Sequence, residues 1–385
     1  MRGNLVSFYQ LNIALGEVFG YVVAAIFVGV EGSWRYILGS SLVFSTILFV
    51  GMIFLPESPR YLMHNGKTVE AFGVWKRIRG LNTMEDKEEF FAMKHSVEEE
   101  RADTHRNFGR FAWLDLFTVP RARRALVYAN IMVFLGQFTG VNGESSFLPV
   151  PILRMTFQLI LLLAIMYYMS VLMSQIGFSD KNSVFMSLVG GGALLLGTLP
   201  AIFWMEKFGR RFWANAMLPG FFIGLILVGC SYLFDINTQL VAAQGMYLTG
   251  LIIYMGFFGS YACLTWVLPS EVYPTYLRSY GMTTSDATLF LCSFIVTYNF
   301  TRMQEAMSKM GLTLGFYGGI AVVGWIYQIL FMPETKGKTL EEIDVLFEQP
   351  TKELVKQNLK NTLSGCNDML HGRWGKVYRD VTMEA

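Results

Sequence analysis

Long apolar runs constrain this chain more than any other feature of its sequence. A helix of about 20 residues, rising ~1.5 Å per residue, crosses the ~30 Å hydrocarbon core of a bilayer. We count eight such runs, at residues 6–28, 36–55, 125–148, 184–204, 213–234, 241–268, 282–299 and 312–332, the third continuing to about residue 173. Only 16% of the residues are charged, against ~25% in soluble domains, so the sequence predicts an all-α integral membrane protein.

Basic residues are unevenly distributed between the loops that join these runs. Lys and Arg are concentrated in the connections after the second, fourth and sixth runs, namely residues 56–124, the stretch KFGRR and Arg278. The intervening loops carry few of them. Because basic residues are retained on the cytoplasmic side of a membrane, this bias predicts that both termini are cytoplasmic.

Two segments are too polar to lie in lipid. Residues 56–124 and 333–385 mix both signs of charge and are predicted to form cytoplasmic amphipathic helices. The chain has no phosphate-binding loop, and its basic residues follow the membrane bias, so no nucleotide or nucleic-acid partner is expected. Its four Cys and four His show no ligand spacing, and the sequence predicts no metal, no cofactor and no enzymatic activity.

Charged motifs mark the predicted cytoplasmic ends of the apolar runs. They are LPESPRYL, MEKFGRR, PSEVYPTYLRSYG and MPETKGKTLEEID, and they supply Glu57, Arg60, Glu206, Arg210, Arg211, Glu271, Arg278 and Glu334. Such groups can pair between helix ends, hold the cytoplasmic side shut and separate when it opens. A single motif is weak evidence, but four in this order and at these positions are specific.

These motifs, together with QFTGVN at residues 137–142, resemble those of the sugar porter family of the major facilitator superfamily. The resemblance covers nearly the whole chain and is nearest to fungal inositol and polyol carriers. It implies two six-helix bundles with a substrate site between them at the membrane midplane. On that frame the chain begins after the fourth helix, which predicts an incomplete major facilitator fold of about 8 of 12 transmembrane helices.

The same frame predicts the domain organisation. Residues 1–55 would be the last two helices of the N-terminal bundle, and residues 56–124 a cytoplasmic helical linker. Residues 125–332 would form the C-terminal six-helix bundle, and residues 333–385 a cytoplasmic tail.

The resemblance implies a function as well as a fold. It predicts transport of a neutral monosaccharide or polyol, such as a hexose or inositol, by alternating access and proton symport in the plasma membrane. The expected partners are the sugar or polyol, protons and the lipid bilayer. Proton-coupled members use an acidic residue in the first helix and an Arg in the fourth, which have no counterpart in this chain. A non-functional fragment or gene-model artefact, and a transporter-like nutrient sensor, are therefore the alternatives.

A sugar site needs amides, hydroxyls and an aromatic platform, because each sugar hydroxyl both donates and accepts hydrogen bonds. The resemblance assigns these roles to Gln10, Gln137, Asn142 and Trp266, and gives Tyr167 and Tyr168 a part in closing the outer gate.

Two carboxylates lie inside predicted membrane spans. Glu17 follows Gln10 by seven residues and therefore lies two turns along the same helix face. A carboxylate in a span faces a wet cavity or a partner, so Glu17 is either a substrate-site residue or pairs with a group near the outer surface. Asp286 is either a proton site or makes a capping or structural hydrogen bond.

The third apolar run is interrupted by a Pro-Val-Pro break at residues 149–151. Removal of residues 143–163 joins QFTGVN directly to AIMYY in one uninterrupted helical pattern. Pro in a helix interior destabilises the helix by about 3 kcal/mol or more. The codons for Gly143, Glu144 and Ser145 can contain GTGAGT, and the junction of the Leu163 and Ala164 codons can contain TAG, which are splice-site sequences. We therefore predict that residues 143–163 are a retained intron, with a true lineage-specific insertion as the alternative.

Overall fold

The fold is known from a computed structural model. It describes residues 2–79, 84, 87–88, 90–95, 97–98, 112–137, 169–235, 237–274, 277–307, 316, 318–338, 340–371 and 373. The predicted insert, residues 143–163, lies outside these residues, as do Asn142, Tyr167 and Tyr168.

Helices follow one another along the described residues. They are α1 (Arg2–Phe27), α2 (Ser33–Phe54), α3 (Pro59–His64), α4 (Thr68–Arg79), α5 (Asp115–Thr118), α6 (Pro120–Gln137), α7 (Met169–Gln175), α8 (Asp180–Phe208), α9 (Arg210–Ser231), α10 (Leu240–Val272), α11 (Arg278–Met307), α12 (Gly319–Phe331), α13 (Leu340–Glu348) and α14 (Thr351–Leu370). Every predicted apolar run overlaps a helix among the described residues, and the third run overlaps both α6 and α7. The prediction of an all-α membrane protein is confirmed.

The helices differ in whether their length and apolar character suffice to cross a membrane. Five segments among the described residues are long and apolar enough to cross a bilayer, namely Val6–Phe27, Ser33–Phe54, Lys181–Phe208, Arg210–Ser231 and Leu240–Val272. Helix α12 is apolar but shorter over its described part. Helix α6 is less apolar because Arg121, Arg123 and Arg124 occupy its first turns, and α11 carries many Ser and Thr side chains.

The chain divides into two compact units, one of residues 34–115 and the other of residues 1–33 and 116–385. In the first unit, a small core forms around Leu62, Met63, Ala71, Phe90 and Val97. Helix α2 buries none of its side chains. The predicted domain boundaries remain a prediction.

The second unit is built around α10. Helices α1, α8 and α9 all pack against α10, α6 pairs with α11, and α12 lies against α9. Side chains of α10 are buried along most of its length, with Tyr247, Tyr254 and Tyr261 among the largest. This central position allows α10 to carry polar residues into contact with several other helices.

Glycine lets α8 and α10 approach at backbone distance. A Cβ atom on Gly197 of α8 would lie 2.1 Å from the carbonyl oxygen of Gly256, and one on Gly259 would lie 2.3 Å from that of Leu194. The Ser260 hydroxyl donates a hydrogen bond to the Gly197 carbonyl across the same contact. Small residues and short polar bonds are how helices associate in lipid, so this crossing holds α10 firmly in register with α8.

Candidate functional site

Two predicted substrate residues meet in the second unit. The indole Nε1 of Trp266 in α10 donates a hydrogen bond of 2.8 Å to Oε1 of Gln10 in α1. Gln10 is buried, and the ring of Tyr9 lies edge-on to Trp266 with centroids 4.8 Å apart. Residues separated by 256 positions in the sequence thus form one polar and aromatic cluster.

The contact between Gln10 and Trp266 leaves hydrogen-bond donors and part of an aromatic ring available to a ligand. Because the indole N–H occupies the Gln10 oxygen, the amide nitrogen of Gln10 keeps two donors, and no described residue accepts from them. Trp266 is half-buried, so part of its ring surface stays accessible beside that amide. An amide next to an aromatic face suits a sugar, which presents hydroxyls and apolar C–H faces together.

Glu17 lies further along the same face of α1. Its Oε2 atom is buried, and the Glu17 carboxylate forms neither a hydrogen bond nor an ion pair with any described residue. The expected pairing of Glu17 with a helix-end group is therefore not observed in the part of the chain that the structure describes. A buried carboxylate without a protein partner is costly unless it is protonated or faces a polar cavity.

The other predicted substrate residues are only partly located. Gln137 is the last residue of α6, so its backbone is helical. Asn142, Tyr167 and Tyr168 lie outside the described residues. The roles of all four remain predictions.

A charged cluster lies where α9 begins and α10 ends. Nη2 of Arg210 is 2.6 Å from Oε1 of Glu271, and both side chains are more than nine-tenths buried. The Thr335 hydroxyl donates to the other Glu271 oxygen at 2.7 Å. Two sequence motifs thus meet in one ion pair, and a third motif contributes the hydroxyl. Together these contacts join α9, α10 and the segment after α12.

Glu334 has a different role in this cluster. Its carboxylate accepts hydrogen bonds from the backbone N–H groups of Arg210 at 2.9 Å and Arg211 at 3.0 Å, the first residues of α9. It also accepts from the N–H groups of Thr335 and Lys336. A carboxylate at this end of a helix satisfies unpaired donors and complements the helix dipole. Glu334 is therefore a helix cap as well as a charged group of the motif MPETKGKTLEEID.

Gly209 makes this cap sterically feasible. Its φ of +89° belongs to the left-handed region, and a Cβ atom there would lie 2.6 Å from Oε2 of Glu334. Any other residue would combine backbone strain with a clash against the capping carboxylate.

Arg211 donates hydrogen bonds to oxygens of α12 and of the tail. Its Nη2 donates to the carbonyls of Ile329 and Asn358, at 3.1 and 2.9 Å, and to the Thr362 hydroxyl at 2.9 Å. The Asn358 amide donates in turn to the carbonyls of Leu330 and Met332, at the end of α12. Sequence reasoning missed Asn358, because one Asn in a polar helix carries no signal of burial.

The remaining predicted motif residues belong to both units of the chain. Glu57 and Arg60 are exposed in the unit of residues 34–115. Glu206 is half-buried near the end of α8, and the half-buried Arg278 begins α11.

A second polar cluster, in the first turns of α11, was also missed. The phenol oxygen of Tyr273 lies 2.8 Å from Oγ of Ser285, and the Asn130 amide donates to the same phenol at 3.5 Å. The Thr288 hydroxyl donates to the side-chain oxygen Oδ1 of Asn130, and this bond links α6 to α11. Burial, with a smaller contribution from the charge of Asp286, raises the pKa of Tyr273 to about 12. Asp286 itself makes no hydrogen bond with a described residue, so the capping alternative has no support there.

Known proteins match the chain over most of its length. The profile of the family described as "Sugar (and other) transporter" matches residues 1–347. The myo-inositol transporter FST1 of Gibberella moniliformis is 64% identical over 386 aligned residues, which cover 100% of this chain and 63% of that protein. The D-xylose-proton symporter of Escherichia coli K12 is 28% identical over 367 residues, covering 91% of this chain and 66% of that one. The chain therefore spans less than two thirds of the length of the fungal relative.

Solved structures agree with this match. The proton:xylose symporter XylE bound to 6-bromo-6-deoxy-D-glucose superposes with a TM-score of 0.67 and 25% identity, over 90% of this chain and 67% of that one. The prediction of a major facilitator fold is confirmed. The profile match and the 64% identity together show that this chain belongs to the family of sugar (and other) transporters.

Proposed function

We propose that this chain serves the transmembrane transport of a neutral monosaccharide or polyol by alternating access, coupled to protons. The observation that carries the proposal is the hydrogen bond from the indole N–H of Trp266 to the side-chain oxygen of Gln10, which places the remaining amide donors of Gln10 beside an aromatic ring. A relative 64% identical is named as a myo-inositol transporter. No cation among the described residues contacts this pair, which favours a neutral substrate over an anionic one.

Substrate binding would use the groups that the protein leaves unoccupied. The Gln10 amide nitrogen would donate to ring hydroxyls, and the accessible Trp266 face would pack against apolar C–H groups. Gln137 and Asn142 would supply further amides, and Tyr167 and Tyr168 would close the outer side.

The buried cluster of Arg210 and Glu271 would act on the opposite side as part of the cytoplasmic gate. Its ion pair and the Glu334 cap hold three helix ends together, and their separation would accompany inward opening. Substrate affinity should depend on Gln10 and Trp266, whereas the rate of turnover should depend on Arg210.

Glu17 is the group that best supports proton coupling. Once protonated, its carboxyl can donate a hydrogen bond to a substrate hydroxyl, and it loses that donor on ionisation. Relatives of this chain include proteins named as an H(+)/hexose cotransporter and a D-xylose-proton symporter. In Glu17→Gln, which carries a permanent donor, binding of substrate should no longer depend on pH.

Equilibrium binding of labelled myo-inositol and hexoses to the purified chain tests the substrate site. Gln10→Ala and Trp266→Ala should each weaken binding about tenfold, since each removes roughly 1.4 kcal/mol of contact. Trp204→Ala is the matched control, because Trp204 is 52% exposed on α8, and it should leave binding unchanged. Equal loss in all three variants, or binding of charged substrates alone, would contradict the assignment.

Transport itself is tested by uptake in cells that lack their own carriers, with and without a protonophore. Arg210→Ala should slow turnover with little change in apparent affinity. Uptake that is independent of the proton gradient would contradict the proposed proton coupling. Epitope tags on the termini that are accessible from outside the cell would contradict their predicted cytoplasmic position.

A non-functional fragment is the second candidate. The observation that favours it is that residues 143–163 interrupt a predicted substrate-binding helix. If these residues are a retained intron, transcripts should exist in which the codon of Asn142 is joined directly to that of Ala164. Sequencing across this junction decides the matter, and a message that always carries the segment would leave the insertion as a real part of the protein.

A further inference from the structure

Three polar side chains lie close together in the interior of the second unit, on α6, α10 and α12. Tyr128, Tyr261 and Gln328 are 5%, 1% and 0% exposed. The Gln328 amide nitrogen donates a hydrogen bond to the Tyr261 hydroxyl. The phenol of Tyr128 lies within electrostatic range of the phenol of Tyr261. We call these three residues the interior cluster.

The interior cluster has more hydrogen-bonding atoms than partners. Oε1 of Gln328 and the hydroxyl oxygen of Tyr128 are buried, and neither forms a hydrogen bond with a described residue. The Tyr261 oxygen accepts from Gln328, so its own O–H remains able to donate, and no described residue accepts from it. A buried polar atom without a partner destabilises a fold, and lipid offers it no substitute. One acceptor and two hydroxyl donors are thus available to a shared ligand.

The surroundings of the interior cluster limit what this ligand can be. The rings of Phe221 and Phe347 pack against those of Tyr261 and Tyr128, with centroids 5.2 and 5.8 Å apart, so apolar surface encloses the cluster. Glu334 lies within electrostatic range of Tyr128, but its carboxylate caps α9. The three side chains of the cluster are themselves neutral, whereas hard cations prefer sites that include carboxylates. A water molecule is small and neutral, and a buried water typically makes about three hydrogen bonds to groups of this kind.

We propose that Tyr128, Tyr261 and Gln328 bind a buried water molecule. The water donates to Oε1 of Gln328 and accepts from the hydroxyls of Tyr261 and Tyr128, so each of these atoms gains a partner. The bridge joins α6 to α10 and α12. Because α6 ends at Gln137 and α10 carries Trp266, the water connects two helices that hold predicted substrate residues.

Radiolytic labelling of the full chain in lipid nanodiscs tests the site. A short X-ray pulse splits bound water into hydroxyl radicals, which add to the nearest aromatic ring, and mass spectrometry of the peptides locates the product. Tyr254 is the matched buried control, because it is 0% exposed and its hydroxyl is not among the buried atoms without a partner. Tyr9, which is 55% exposed, reports on bulk water. The pulse is repeated at increasing times after transfer into water labelled with heavy oxygen.

Tyr128 and Tyr261 should be modified although they are buried, whereas Tyr254 should stay unmodified. They should take up heavy oxygen later than Tyr9, because an enclosed water exchanges slowly with bulk solvent. Gln328→Leu places an apolar side chain in the site and should abolish the modification of Tyr128. Absence of the modification from both tyrosines in the native chain, or modification of Tyr128 that Gln328→Leu leaves unchanged, would overturn the proposal.

Stability distinguishes a bridging water from an unsatisfied hydroxyl. Removal of an unsatisfied buried hydroxyl is neutral or stabilising, whereas removal of a bridged one leaves its partners unpaired and is destabilising. Tyr128→Phe should therefore unfold at a lower concentration of sodium dodecyl sulfate than the native chain. In the background of Gln328→Leu, the same substitution should shift the midpoint less, because the shared ligand is already lost. A midpoint for Tyr128→Phe at or above that of the native chain would contradict the water bridge.

Discussion

Loss of Arg210 should destabilise the protein more than loss of any exposed charge. The side chains of Arg210 and Glu271 are only 8% and 9% exposed and their charged atoms are 2.6 Å apart, so water screens this pair little. Arg210→Ala leaves the Glu271 carboxylate buried with the Thr335 hydroxyl as its remaining donor. Removal of one partner from a buried ion pair costs about 3–5 kcal/mol, and one hydroxyl donor recovers only part of that.

A double-mutant cycle measures this effect directly. The free energy of unfolding is obtained by titration with sodium dodecyl sulfate for Arg210→Ala, Glu271→Ala and the double variant. The double variant should be less destabilised than the sum of the single variants, by about 2 kcal/mol or more, because the second substitution removes the uncompensated charge.

An exposed pair in the same chain supplies the control. Lys67 and Glu70 are 3.3 Å apart but 57% and 60% exposed, so Lys67→Ala should change stability by less than about 0.5 kcal/mol. If Arg210→Ala behaved like Lys67→Ala, or if the two buried substitutions were additive, the ion pair would not hold these helix ends together.

Three further substitutions test other contacts. Gly209→Ala should lower the free energy of unfolding by at least about 1–2 kcal/mol, because Ala is strained in the left-handed backbone and its Cβ clashes with the Glu334 cap. Gly192→Ala in α8 is the control, because a Cβ atom there meets nothing within 4 Å, and it should be neutral or slightly stabilising in the same titration. Asn358→Ala should cost about 1–3 kcal/mol for two lost hydrogen bonds and expose the tail to protease, in contrast to Asn361→Ala. Because burial raises the pKa of Tyr273 to about 12 from 10.0, stability should fall as pH rises from about 10 towards 12, and Tyr273→Phe should remove that part of the alkaline loss.

The sequence alone determined the class of protein and the positions of its helices. Apolar runs of bilayer length have one stable solution in lipid, because every backbone N–H and C=O must be satisfied within the segment. The motif spacing likewise indicated the family and the acids and bases at the helix ends. These features are local in the chain, so composition and periodicity reveal them.

Only the tertiary structure decided which residues meet. Gln10 and Trp266 touch because α1 and α10 pack side by side, and nothing in either segment specifies the other. The motif acids looked equivalent in sequence, yet Glu271 pairs with a guanidinium while Glu334 caps a helix. That difference depends on where each carboxylate lies relative to the first turn of α9, because a helix end offers backbone donors only along its axis. Long-range contacts of this kind follow from how the helices pack, and the sequence of any one helix does not contain them.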